Sequence, residues 1–231
     1  MLHKIKTRLL NSFIAIKDKL IKNELEKYKA QQKEIKLREL DKLYNTVLDP
    51  KYFENSRILS SRFEMLDILP KNAICAEIGV DHGDFSEQIL SLTHPRKLHL
   101  IDKWGDEARY HDGLKLLVNE KFSEQIKAEQ VEINLGYSVD VLKTFSDNYF
   151  DWAYLDTVHD YDYTKKELAT LKDKVKDNGI IAGHDFVIGN WFAGYKYGVI
   201  EAVLEFCQEY NYEFIYITMD FPNSFALRKK S

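Results

Sequence analysis

The 231-residue chain has a formal net charge of −4. Its first 22 residues carry +5, from Lys4, Lys6, Arg8, Lys17, Lys19 and Lys22 against Asp18, which leaves −9 for the rest. An acidic body grips a phosphate backbone poorly, so nucleic acid is excluded as the expected partner, and no apolar run is long enough to span a bilayer.

Residues 1–48 contain no proline or glycine and read as helix. Leu2, Ile5, Leu9, Phe13, Ile16 and Leu20 recur at intervals of three and four, and Leu37, Leu40, Tyr44 and Val47 resume that spacing. Such a stripe suits a helix packed on the body or on a second subunit of a homo-oligomer. With its basic flank, residues 1–22 also admit a peripheral helix on an anionic membrane, a reading that ranks second to packing. Lys17 and Lys19 interrupt any signal-peptide core. Asp49-Pro50 marks a boundary, dividing the chain into an N-terminal helical extension, 1–50, and a main domain, 51–231.

Beyond the boundary the pattern alternates. A helix is predicted over 56–69, ending at Pro70, then a strand at 73–79 and a helix from Asp84 to about Leu92, with Asp84 as its cap and Glu87 completing a capping box. Strands are predicted near 97–102, 130–135, 150–156 and 179–184, with helices over 106–127, 138–146 and 161–176. After a helix near 196–210, Tyr212–Thr218 and Ser224–Arg228 are separated by Met-Asp-Phe-Pro-Asn, enough for a hairpin but not for a crossover helix. The fold class is therefore α/β: a Rossmann-like, doubly wound, mostly parallel seven-stranded sheet with a C-terminal antiparallel hairpin. Cys75 and Cys207 fall in a predicted strand and a predicted helix and read as buried thiols, which fits a reducing, cytoplasmic setting.

The chemistry concentrates in Ala-Ile-Cys-Ala-Glu-Ile-Gly-Val-Asp-His-Gly-Asp at 73–84 and in Lys-Leu-His-Leu-Ile-Asp at 97–102. An apolar strand ends in a turn with two glycines, and the next strand ends on a carboxylate that can accept from ribose hydroxyls. A dinucleotide fingerprint would need glycines at 79, 81 and 84, but Asp81 and Asp84 stand at two of these positions. Acids at a helix N-terminus disfavour a pyrophosphate, whereas a phosphate-free, cationic nucleoside such as S-adenosylmethionine meets no such barrier.

Five ordered motifs carry a resemblance: Ala-Glu-Ile-Gly-Val-Asp-His-Gly-Asp-Phe-Ser at 76–86, Leu-His-Leu-Ile-Asp-Lys-Trp at 98–104, Gly-Tyr-Ser at 136–138, Phe-Asp-Trp-Ala-Tyr-Leu-Asp-Thr-Val-His-Asp-Tyr at 150–161, and Asn-Gly-Ile-Ile-Ala-Gly-His-Asp-Phe at 178–186. Over residues 56–228 the chain resembles class I S-adenosylmethionine-dependent methyltransferases, and within them the branch of macrocin O-methyltransferase and the cephalosporin-hydroxylase-like enzymes. The resemblance implies that Glu77, Gly79 and Gly83 line the methionine and ribose end of the cofactor and that Asp102 binds the ribose diol. It places Ser138 near the adenine, with Val80, Asp81, Lys103 and Asp156 completing the cofactor set. Relatives often have Asp-Gly-Asp-His-Ser-Tyr where this chain has Asp156-Thr-Val-His159-Asp-Tyr161, so Thr157 and Val158 replace a glycine and an acid.

Methyl transfer to a hydroxyl needs in-line positioning and removal of a proton. Asp156 and Asp185 follow two strands at their carboxyl ends, where two carboxylates can hold Mg²⁺ and acidify a bound hydroxyl. Beside Asp185 stands His184 where relatives supply oxygen, which leaves the third ligand open. His159 and His184 offer a second route, general-base removal of the proton. Trp191, Phe192 and Tyr195 either wall an acceptor pocket or cover the sheet. The expected function is O-methylation of a small hydroxylated acceptor, with a sugar or glycan-related compound suggested by family analogy alone. A non-catalytic protein that keeps the cofactor fold and assembles through its N-terminal helix is the alternative. A nicotinamide-dependent oxidoreductase ranks below it for want of the glycines.

Overall fold

A computed structural model describes residues 2–41, 47–104, 113–190 and 194–230. The chain divides into two units, Met1–Asn45 and Thr46–Ser231. The first holds a single helix, α1 (Leu2–Asp41), unbroken because neither glycine nor proline interrupts it. Ile14, Ile16, Leu20, Ile21 and Leu25 are exposed on it. The side chains of Leu2, Ile5, Leu9, Phe13, Leu37 and Leu40, and Tyr44 entirely, lie outside the described residues. Among the described residues no helix is long and apolar enough to cross a membrane.

In the second unit the elements run β1 (Arg57–Leu59), α2 (Arg62–Ile68), β2 (Ile74–Ile78), α3 (Asp84–Thr93), β3 (Lys97–Asp102), α4 (Gly113–Lys121), α5 (Ser123–Lys127), β4 (Val131–Leu135), α6 (Ser138–Lys143), β5 (Phe150–Leu155), α7 (Tyr161–Lys174), β6 (Val175–Gly183), β7 (Gly189–Asn190), β8 (Tyr195–Lys196), α8 (Val199–Tyr210), β9 (Tyr212–Thr218) and β10 (Phe225–Lys229). The seven expected strands form one sheet with an added eighth, β1, in the order β1-β9-β10-β6-β5-β2-β3-β4. Strands β2 to β6 are parallel, and β10 is antiparallel to both its neighbours. The start of the expected 106–127 helix, and Trp191 and Phe192, lie outside the described residues.

Three local expectations are corrected. The 56–69 segment is not one helix: Arg57–Leu59 pairs in parallel with Tyr216–Thr218, a partner too distant in sequence to register in local periodicity. Ser61 then caps α2, accepting from Glu64 N at 3.3 Å, while Glu64 Oε2 accepts from Ser60 N at 2.7 Å, a reciprocal arrangement. Strand β6 starts at Val175 rather than 179, because a register shift between Phe150 and Trp152 absorbs the polar Lys176–Asn178 stretch. Finally, Gly83, not Asp84, is the N-cap of α3. Its φ of +75° is left-handed, and a Cβ there would lie 2.7 Å from the Phe122 ring, so glycine is required at that position.

The sheet is buried on both faces. On β5, Ala153 and Leu155 join one core layer with Leu168 and Leu171 of α7 and Val203 and Phe206 of α8. Trp152 and Tyr154 alternate into the other layer with Leu66 of α2, Ile89 of α3 and Val118 of α4. The chain winds outward from β2 to β4 and returns to place β5 on the other side of β2. That reversal is the topological switch point, where α/β sheets bind ligands beyond the carboxyl ends of their strands.

Candidate active site

A cavity of about 930 Å³ opens at the switch point, lined among others by Glu77, Gly79, Asp102, Ser138, Asp156 and His159. Gly79 ends β2 with φ +88°, and a Cβ on it would come within 1.7 Å of the Asp156 carbonyl oxygen. The turn therefore lies directly against the loop after β5. Asp102, at the tip of β3, organises the same turn: its Oδ2 accepts from Val80 N at 2.7 Å and Asp81 N at 3.0 Å, and its Oδ1 from Trp104 N at 3.1 Å. A carboxylate offers about four acceptor positions, so Oδ1 keeps room for a further donor. Trp104 Nε1 donates back to the Asp81 carbonyl at 3.0 Å.

Glu77 points to the α3 side of the sheet, buried, with the Ser86 hydroxyl donating to its Oε2. Burial pushes its pKa up to about 8 against the lowering effect of Ser86, so it holds a proton at neutral pH. The acids expected to repel phosphate are partly neutralised. Lys121 Nζ donates to Asp84 Oδ1 at 2.7 Å, reaches Glu87 Oε2 at 3.1 Å and donates to the His82 carbonyl at 3.3 Å. His82 and Lys103 also line the cavity, the latter 5.5 Å from the Tyr137 ring centre.

Ser138 opens α6 on the β4 side of the cavity, 7% exposed. Its hydroxyl donates to Glu167 Oε1 at 2.5 Å and lies 3.0 Å from Tyr163 Oη. Thr157 donates to Glu167 Oε2 at 2.8 Å. Residue spacing gave no sign of Glu167, which reads as one of several charges on an amphipathic helix; only its complete burial sets it apart.

The second half of the site follows β5 and β6. His159 Nε2 lies 2.8 Å from Asp185 Oδ2 and 3.4 Å from Asp156 Oδ1. Burial alone would lower the His159 pKa, but hydrogen bonds to both carboxylates override it and raise it to about 9. Burial works against the Asp185 charge, and the His159 hydrogen bond wins, holding its pKa low. His184 is kept neutral by burial, its Nδ1 2.9 Å from Ser224 Oγ, and it faces a small cavity of about 10 Å³ rather than the main one. The chain thus brings Asp156, His159 and Asp185 together as one cluster, with His184 behind it. From α2, Arg62 lies 3.9 Å from Asp156 Oδ2, its guanidinium 4.5 Å over the Phe85 ring. The sequence did not single out Arg62. Of the expected aromatic wall, Tyr195 lines the cavity with Tyr197, whose ring is 4.7 Å from that of His159.

One ligand atom each from Asp156, His184 and Asp185 lie within 4.8 Å of one another. Two carboxylates and a neutral imidazole form a donor set that suits a divalent cation.

This architecture, with its site at the switch point, is the Rossmann-like methyltransferase fold. The pyocyanin biosynthetic protein PhzM has a TM-score of 0.56 at 13% identity, over 73% of this chain and 54% of its own. SMU.1697c from Streptococcus mutans, solved in complex with SAH, has a TM-score of 0.53 at 14% identity, over 73% and 96%. An O-methyltransferase family protein from Burkholderia thailandensis has a TM-score of 0.55 at 10% identity, over 74% and 55%. The chain thus spans little more than half the length of two of these. Residues 76–186 match a family model described as a methyltransferase domain, a span that runs from β2 to just past Asp185. No curated protein matches the chain.

Proposed function

We propose that this protein transfers a methyl group from S-adenosylmethionine to a hydroxyl oxygen of a small acceptor. The observation that carries the reading is the juxtaposition, around one cavity, of Asp102 on one side of the Gly79 turn and Asp156 and His159 on the other, with Asp185 behind them. The methyltransferase domain match over 76–186 supports it, as do the SAH complex of the S. mutans neighbour and the O-methyltransferase family of the Burkholderia one.

Asp102 Oδ1 accepts from the ribose. From β3 across β2 to β5 is two strand spacings, about 10 Å, so the amino-acid tail of the nucleoside crosses the Gly79 turn and reaches Arg62 and Asp156. The Arg62 guanidinium complements the carboxylate of that tail. Bound there, S-adenosylmethionine supplies a methyl group on a sulfonium, an electrophile without phosphate charge.

Asp156, at the cavity wall, accepts the hydrogen bond of the acceptor hydroxyl and aligns its oxygen. As the new C–O bond forms the oxygen becomes strongly acidic, so a carboxylate suffices to take its proton. His159, held as an imidazolium between Asp156 and Asp185, fixes the two carboxylates in place. In place of the His159 ion pair, Asp156 and Asp185, with His184 behind them, would hold a divalent cation, which when bound lowers the pKa of a hydroxyl beside it.

Calorimetry tests the donor: S-adenosylmethionine is expected to give saturable heat and NAD none, and silence with the methyl donor overturns the reading. Turnover of an acceptor library with labelled methyl donor then tests oxygen as the site of transfer, with label on carbon or nitrogen the contrary result.

A further inference from the structure

Glu167 is a buried, titratable group with no part in the steps above. It sits on α7, fully enclosed, and does not itself line the main cavity. Ser138 and Thr157, the two hydroxyls on its carboxyl group, both do. They belong to different halves of the site. Ser138 follows β4, at the edge of the sheet beyond β3 and Asp102, and Thr157 follows β5 directly after Asp156. β2 and β3 separate those strands, so no backbone pairing ties one loop to the other.

Burying a carboxyl group costs several kcal/mol by the usual reckoning, and an aliphatic side chain would pack α7 without that penalty. The geometry shows what offsets it: one oxygen for each loop, at 2.5 and 2.8 Å. Thr157 is held from two directions. Its hydroxyl is fixed by Glu167, and its Cγ2 lies 3.3 Å from where a Cβ on Gly79 would stand, against the donor turn. A glycine at 157 could make neither contact. Burial raises the pKa of Glu167 to about 7 despite both hydroxyls, in keeping with a group retained for its geometry rather than its charge.

We propose that Glu167 is a positioning residue for the donor site: bonded to Ser138 and Thr157 at once, it sets the loop after β4 and the loop after β5 in one register. The inference rests on the methyl-donor reading.

The test is calorimetry with S-adenosylhomocysteine on the full chain, with thermal melting run in parallel. Glu167→Leu is expected to weaken binding by about tenfold, in the range seen when supporting side chains behind a site are removed. Glu167→Gln keeps an acceptor and a donor for two hydroxyls and is expected to bind within about threefold of wild type. Ser138→Ala and Thr157→Val, combined, are expected to depart from multiplicative behaviour because they share one partner. That coupling is expected to vanish in Glu167→Leu. The inference is overturned if Glu167→Leu melts lower yet binds as wild type, or if the two hydroxyl deletions multiply independently. A folded wild-type protein that binds no S-adenosylhomocysteine overturns the donor reading itself, and the inference with it. Should Glu167→Leu fail to fold, the Glu167→Gln comparison and the Ser138–Thr157 cycle still decide.

Discussion

The carbonyl of Asp156 occupies the space that a side chain on Gly79 would need: a Cβ there would stand 1.7 Å from the oxygen. The glycine turn and the acid-bearing loop thus meet backbone to backbone, at the point where the strand order reverses. Gly79→Ala must both hold φ near +88° and push that carbonyl away. Left-handed strain alone is on the order of 1–3 kcal/mol. The variant is expected to melt markedly lower and to lose measurable affinity for S-adenosylhomocysteine, checked by calorimetry and thermal melting.

Asp102 holds the turn, and the proposed reading gives it the ribose as well, so its replacement is expected to show in both. Asp102→Asn keeps a single acceptor oxygen, so its NH2 group must face either the Val80 and Asp81 N–H groups or that of Trp104, all of which need an acceptor. Loss of a charge-assisted pair is expected to weaken S-adenosylhomocysteine by at least about tenfold. Calorimetry reads the affinity, and exchange protection of the Val80 and Asp81 amides reads the turn.

Arg62 lines the cavity beside Asp156, and the proposed reading pairs it with the carboxylate of the donor's amino-acid tail. Methylthioadenosine shares the nucleoside but lacks that carboxylate. Arg62→Met is expected to weaken S-adenosylhomocysteine by about tenfold while leaving methylthioadenosine unchanged. Equal loss for both nucleosides would instead assign Arg62 to the support of Asp156.

Glu77 gives stability a dependence on pH with a definite sign. Its folded pKa, about 8, lies above the unfolded value of about 4.3, so between them the folded state holds a proton that the unfolded state has released. Stability from this group therefore falls as pH rises through that window, and its contribution is fully present only below it. Glu77→Gln cannot release a proton and is expected to lose less stability than wild type between pH 6 and 9. Denaturant unfolding across that range measures the difference.

If Asp156 and Asp185 hold a divalent ion, Mn²⁺ should bind the wild-type chain, and Asp156→Asn and Asp185→Asn should each weaken it by about tenfold or more. Electron paramagnetic resonance of free Mn²⁺ reads this without an acceptor. His159→Gln removes the imidazole between the acids, leaves both carboxylates in place, and is expected to retain the ion.

Much of this site was legible from local signals. Gly79 and Gly83 stood out because tight turns need residues without a Cβ, and Asp102 and Asp156 because apolar strands ended on them. The spacing of Tyr212–Thr218 and Ser224–Arg228 permitted only a hairpin. Other features had no local signature. Arg57–Leu59 looks helical until its partner, Tyr216–Thr218, is brought alongside. The expected cap at Asp84 passed to Gly83, whose left-handed backbone leads into the helix one residue earlier.

By itself, then, the sequence determined the alternation of strands and helices, the glycine turn and the strand-tip acids, since each depends on residues within a few positions of one another. The tertiary structure alone decided which acids share a proton and which meet a cation. His159 lies between Asp156 and Asp185, Arg62 reaches Asp156 from a different helix, and Glu167 gathers Ser138 and Thr157. Hydrogen bonds and ion pairs act over a few ångströms, whereas Arg62 and Asp156 stand 94 positions apart in the chain, and only the packed sheet brings such groups within that range.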